Sequence, residues 1–256
     1  MIPNPLAVVI LVALILEAVL RLAADILNQR GMGATVPVEL AGLLDPAGSA
    51  RAQAYHKART RLGWAAEGFH LAVLIAFWLA GGFAWLDRAA RSFGQGTVVT
   101  GLLFIGILAA ARSLLGLPFA VYATFGIETR FGFNRTGWRT FLSDRLKGLV
   151  LALMLGGTLL ALVLGFFQAA GERAWWLSWM AVTAVFLVVH YVAPTWILPW
   201  FNRFQPLEDR DLEAAIRGYA AANGFPVQQV KVMDGSRRSS KGNAFFTGFG
   251  RRRRIV

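Results

Sequence analysis

Leu146-Lys-Gly-Leu-Val-Leu-Ala-Leu-Met-Leu-Gly-Gly-Thr-Leu-Leu-Ala-Leu-Val-Leu-Gly-Phe-Phe167 decides the fold. Beyond Lys147 it runs without a charge to its end. A helix needs about 17–25 mainly apolar residues to cross a hydrocarbon core, and this stretch supplies them. Four more segments share its character, at approximately Pro5–Leu22, Trp64–Leu86, Val98–Tyr122 and Trp175–Phe201. The chain of 256 residues is 56% hydrophobic and only 16% charged, where a soluble domain carries about a quarter charged residues. Mean hydropathy is +0.53. The expected fold is therefore mainly α: a polytopic membrane helical bundle of about five transmembrane helices. The first segment has no basic stretch before it and a long apolar run, so it is expected to be an uncleaved span rather than a signal peptide. Absence of cysteine excludes disulfides and thiolate metal ligands.

The basic residues fix an orientation. The stretch after the first span holds Arg30, Arg51, Lys57, Arg59 and Arg61, and the stretch after the third holds Arg130, Arg135, Arg139 and Arg145. The segment after the fifth is richer still, from Arg203 to the run Arg251–Arg254. The alternate loops carry only Arg88 and Arg91, then Arg173. The positive-inside rule puts the N-terminus outside and residues 203–256 in the cytoplasm. It also accounts for the net charge of +12. No nucleic-acid partner is expected, because the arginine run lacks interleaved stacking aromatics. Arginine outnumbering lysine hints at a GC-rich coding sequence and a bacterial inner membrane.

Within the spans, Gly156-Gly157 either allows close helix packing, the favoured reading, or is simply tolerated. Pro194 and Pro199 should kink the fifth segment, and its tryptophans lie towards both ends as interfacial anchors would. Glu17, Glu67, His70, Arg112 and His190 are ionisable groups inside or at the ends of apolar segments, which is costly. Either they line a polar cavity, or they satisfy one another, as Glu17 and Arg21 could at i,i+4. Glu67 and His70 alone are too few to hold a metal.

Beyond Pro206 the chain changes character. Glu208–Ala222 has acids in its first turn and apolar residues at helical spacing, and Asn223-Gly224 before Pro226 ends it. Gln229–Met233 alternates as a strand, Asp234-Gly235 turns, and Asn243–Thr247 is a second strand candidate. Gly248-Phe-Gly250 then turns into Arg253–Val256. This is the start of an α+β domain over 205–256 after a transmembrane region over 1–204. About fifty residues bury too little core to stand alone, so the unit is expected to be incomplete.

The block Ile127-Glu-Thr-Arg-Phe-Gly-Phe-Asn134, followed by Trp138, Phe141, Asp144 and Lys147-Gly148, resembles the type I CAAX prenyl proteases. Supporting matches are Val36-Pro-Val-Glu39, Tyr55 with Arg61-Leu-Gly63, Pro199-Trp-Phe-Asn202, and Asp234-Gly-Ser with Asn243-Ala-Phe-Phe-Thr-Gly248. The resemblance implies a membrane zinc metalloendopeptidase that acts on prenylated CAAX proteins or clears membrane proteins. Its zinc site would be H-E-x-x-H plus a downstream Glu, with two His on one helix face and the Glu as base.

This sequence has no such motif; its histidines are His56, His70 and His190. The expectation is truncation before the metal helix, with no catalytic residue, no metal ligand and no zinc bound by this chain. The resemblance also makes Asn243-Ala244-Phe245 a substrate-binding strand, offering backbone hydrogen bonds to an extended peptide. Expected partners are the lipid bilayer and a peptide or protein substrate. The rival is a non-catalytic membrane scaffold or transporter-like bundle, but a transporter predicts repeated broken helices and the sequence has no internal repeat.

Overall fold

The structure is a computed structural model, and it describes residues 5–32, 46–225, 227–248 and 253–256. Val36–Glu39, Pro226, Gly250 and the first two arginines of the run 251–254 lie outside these residues. The elements in order are helices α1 (Pro5–Gly31), α2 (Pro46–Leu79), α3 (Gly82–Arg91), α4 (Thr97–Glu128), α5 (Trp138–Ala169) and α6 (Gly171–Phe201). They are followed by strand β1 (Phe204–Pro206), helix α7 (Arg210–Ala222), and strands β2 (Gln229–Met233), β3 (Phe246–Thr247) and β4 (Arg254–Ile255). All of these helices except α3 and α7 are long and apolar enough to cross a membrane, which makes five. Their large apolar side chains point outwards, among them Leu20, Phe186 and Trp179 at 59%, 66% and 66% exposure. Lipid tails are the solvent that suits such a surface.

The spans differ from the hydropathy segments at their ends. The second segment was expected to continue from Trp64 to Leu86, but α2 stops at Leu79. Gly81 adopts a left-handed φ of +75°, which breaks the helix there and restarts it as α3. Three spans contain a π-helical turn: Tyr122–Glu128 just after Pro118, Ala152–Gly157, and Ala193–Ile197 around Pro194. Proline removes an internal hydrogen bond, and a wider turn is one way the helix absorbs that loss.

Contacts divide the chain into two compact units, Met1–Trp85 with Ala110–Gly132, and Leu86–Ala109 with Phe133–Val256. In the first, Arg21 pairs with Glu17 at 2.7 Å and approaches Glu67 at 3.7 Å, while Asp25 accepts the Trp64 indole N–H at 2.8 Å. His70 lies against the rings of Phe69 and Phe119. The Arg112 guanidinium has neither hydrogen bond nor ion pair among the described residues.

In the second unit, the apolar halves of α5 and α6 pack as a helical hairpin through Gly171, φ +52°. Ala174 and Ser178 are buried. The close approach expected at Gly156-Gly157 is absent: a Cβ at either would meet nothing within 4 Å among the described residues. These glycines sit in the π-helical turn instead. The close approach is at Gly101, where a Cβ would lie 2.7 Å from the Leu164 side chain.

The four strands form one sheet in the order β1-β2-β4-β3, with β2 and β4 parallel and the outer pairings antiparallel. Val230 of β2 is buried, as is Ala220 of helix α7. Helix α7 begins two residues later than expected, at Arg210 rather than Glu208, because the Asp209 carboxylate accepts the Leu212 N–H at 2.9 Å and makes Asp209 the cap. It ends as Asn223 caps Tyr219 and Gly224 turns left-handed. Asp209→Ala should destabilise α7 by about 1 kcal/mol. Amide exchange at Leu212 should then quicken roughly fivefold, and an unchanged rate would show that the cap is dispensable.

Candidate functional site

The candidate substrate residues lead into β3, an outermost strand of the sheet among the described residues. Phe245 exchanges two main-chain hydrogen bonds with Val256, both 2.9 Å, and pairing continues as Phe246↔Ile255 and Thr247↔Arg254. The strand expected over Asn243–Thr247 is thus shorter at its start. Regular strand covers Phe246–Thr247, with Phe245 joined to it by those two bonds. Asn243 turns its own side chain onto the chain, its Oδ1 accepting the Ala244 N–H at 2.9 Å, and this diverts the backbone from the ladder. Because main-chain groups alternate sides along an antiparallel strand, those of Phe246 face away from β4, where no further strand lies among the described residues. The Phe246 ring is 71% exposed and meets Phe225 edge-on at 5.4 Å. Arg253 lies over the other aromatic of that pair, 4.7 Å from the Phe225 centroid.

Behind this edge, the turn Asp234–Ser240 is fastened at several points. The Arg238 guanidinium grips Asp144 of α5 with two bonds of 2.7 and 2.9 Å. It also donates to Asn202 Oδ1 at 2.8 Å and to the Phe201 carbonyl at 2.6 Å, at the end of α6. The same residue's carbonyl accepts from the Arg135 N–H and the Thr136 hydroxyl. Hydrogen bonding to Asp144 raises the Arg238 guanidinium above its already high range, so the pair keeps its positive member at any working pH. Ser239 bridges to Asn134, Ser240 N–H donates to the Phe133 carbonyl, and Lys241 sits 4.6 Å over the Phe133 ring. Asp234 in turn accepts the Arg203 N–H at 2.7 Å. One arginine therefore ties the start of α5, the end of α6 and the loop at Asn134–Thr136 to the turn that leads into the edge strand.

The block Ile127–Gly132 is held within the first unit. Tyr55 donates its hydroxyl to Glu128, Arg51 donates to the Phe131 carbonyl, and Arg59 lies 4.0 Å from Glu128. The wide turn at the end of α4 carries Glu128 and buries Ile127. Gly132 closes the block at φ +71°, with Arg51 Nη2 only 3.2 Å from where a Cβ would stand.

Asp144 belonged to the resemblance block, but nothing in the sequence marked Arg238 as its partner, or Asn202 and Phe201 as further acceptors. Complementary charge alone could not single it out among 26 lysines and arginines. Among the described residues no three of His, Asp and Glu come together in a metal-binding group. His190 stacks on Phe186 at 6.0 Å, and His70 has aromatic neighbours rather than carboxylates. Among the described residues, no set of side chains fits zinc.

Residues 26–203 match the family described as CAAX prenyl protease N-terminal, five membrane helices. The chain belongs to the CAAX prenyl protease N-terminal family. It is 38% identical over 152 residues to CAAX prenyl protease 1 of Saccharomyces cerevisiae, covering 59% of this chain and 34% of that protein. To the CAAX prenyl protease 1 homologues of Arabidopsis thaliana and Homo sapiens it is 34% and 32% identical, over 72% and 70% of this chain. It spans 43% and 39% of those two proteins. The crystal structure of S. mikatae Ste24p superposes with a TM-score of 0.87 at 29% identity, covering 99% of this chain and 61% of that one. The chain thus spans between a third and two thirds of the proteins it matches. Family membership supports an integral, multi-pass membrane protein and disfavours the transporter-like alternative.

Proposed function

We propose that the chain is the membrane-embedded N-terminal part of a CAAX prenyl protease-type zinc metalloendopeptidase, and that its edge strand receives the substrate backbone. In this reading residues 1–204 hold the bilayer and residues 205–256 begin the peptidase domain, facing the cytoplasm with the N-terminus outside. The substrate is a peptide or protein, either the C-terminus of a prenylated CAAX protein or a membrane protein marked for clearance. The relatives named above come from a yeast, a plant and a human, so the bacterial inner membrane expected from composition finds no support in them.

The observation that carries the reading is the position of β3 at the outside of the sheet, with Asn243-Ala244-Phe245 leading into it. An extended peptide laid beside it would take main-chain hydrogen bonds from Phe246 whatever its sequence, and Asn243 adds a side-chain amide. No cleavage step is assigned to this chain, since it lacks H-E-x-x-H and gathers no metal ligands among its described residues. With zinc added, it should bind an extended peptide, leave it uncut and retain no stoichiometric metal.

Amide exchange tests the binding half directly. Peptide should protect the Phe246 N–H about tenfold, and Asn243→Ala should weaken the peptide's affinity roughly fivefold, the loss of one ordinary hydrogen bond. Binding without protection at Phe246 would move the substrate to another surface. Cleavage by this chain would show that the zinc reading misses ligands it possesses.

A further inference from the structure

A groove of about 440 Å³ lies between the first turns of α5 and the end of α6. Arg139, Ser143 and Lys147, each four residues from the next, make a polar stripe along one side of it. Leu142, Leu146 and Val150, at the same spacing, make the adjoining apolar stripe and are 60%, 54% and 46% exposed. The half-exposed Trp200 lines the groove from α6. Lys147 is held in place by the Trp200 carbonyl, at 2.6 Å from its Nζ. Arg139 is exposed and has no hydrogen bond or ion pair among the described residues. Asp144, the nearby carboxylate, is already neutralised by Arg238.

Lys147 is also the last charge before the uncharged run Gly148–Phe167, so the groove straddles the boundary between headgroup and hydrocarbon. We infer that this groove binds an anionic phospholipid. The phosphate takes Arg139, Lys147 and the Ser143 hydroxyl, and one acyl chain follows Leu146 and Val150 beside the Trp200 indole. Each alternative leaves something uncompensated. A neutral apolar helix would set two cations against hydrocarbon, and a free phosphate ester would leave the leucine stripe wet. The inference stands on the groove and on the spans alone, and does not depend on the proposed substrate edge.

Native mass spectrometry of the 256-residue chain in detergent micelles provides the test, with phosphatidylglycerol, phosphatidylcholine of the same chains, and glycerol 3-phosphate as probes. Two interfacial cations at about a factor of five each predict a roughly 25-fold preference for phosphatidylglycerol. Arg139→Gln should cut that preference about fivefold, and Arg139→Gln with Lys147→Gln should abolish it. Leu146→Gln should weaken retention of both lipids. Since Lys147 also caps α6, Arg139→Gln is the deciding variant; its side chain supports nothing else. Equal retention of the two lipids, or a preference untouched by Arg139→Gln, would overturn the inference. Glycerol 3-phosphate displacing the lipid at equal concentration would make it a phosphate site instead. A lipid-free dimer would give the groove to a second copy.

Discussion

Arg238→Ala is expected to release the turn Asp234–Ser240 from the last two spans at a cost of about 3 kcal/mol. The substitution leaves the Asp144 carboxylate, the Asn202 amide and the Phe201 carbonyl without the donor they share. Both members of the ion pair are three-quarters covered, so water replaces the lost bonds poorly. Trypsin reports the release: cleavage at Arg203, beside the Asp234 contact, should accelerate on the order of a hundredfold, as about 3 kcal/mol of lost protection implies. Lysine at 238 keeps the charge but not the planar fork that meets Asp144 with two bonds, so Arg238→Lys should fall between the two. A cleavage rate in Arg238→Ala equal to that of the parent chain would show that the sheet is anchored by other contacts.

Gly132→Val should be the second most damaging change, at about 2–3 kcal/mol. A β-branched residue pays roughly 1–2 kcal/mol to hold φ at +71°. Its Cβ also stands 3.2 Å from Arg51 Nη2, and moving that group endangers the bond to the Phe131 carbonyl. Thermal melts of the detergent-solubilised chain should separate three variants. Gly132→Val should melt lowest. Gly132→Asn should be milder, since asparagine tolerates the left-handed region better. Gly137→Ala should be near neutral: Gly137 has φ −82°, and a Cβ there meets nothing within 4 Å among the described residues. Equal melting of all three would remove backbone conformation as the reason for glycine at 132.

The same residues show what the sequence could and could not disclose. Hydropathy found the five spans because a bilayer imposes a length and an apolar surface on each. It misplaced their ends because helices do not stop where lipid stops. Helix α5 begins at Trp138, where Gly137 is extended, and its first charged turns lie outside any apolar window. The break at Gly81 turns on one backbone angle, which the surrounding hydropathy does not register. Gly156-Gly157 had the composition of a packing contact, but a glycine's neighbours depend on which way its helix is rotated, and Gly101 holds that contact. The strand Gln229–Met233 forms where it was expected, because it rests on a local pattern, whereas the Asp209 cap went unread and the helix was begun two residues early, at Glu208. Asn243–Phe245 could be proposed from its residues, but its place at the rim of the sheet depends on β4 lying between it and β2. Arg238 is the hardest case, since its three acceptors lie 36 to 94 residues away.

The three π-helical turns at Tyr122–Glu128, Ala152–Gly157 and Ala193–Ile197 carry one more consequence. A turn of this kind is an α-helix with one residue added, and each residue of an α-helix advances the spiral by about 100°. Removing Gly156 would let α5 run as a uniform helix, and everything beyond it, Leu164 opposite Gly101 included, would swing by about that angle. The three turns therefore act as phase adjusters, setting which faces of one span meet a neighbour before and after the turn. Single-residue deletions should be least disruptive to the helix itself, and most disruptive to what it touches, at these three places.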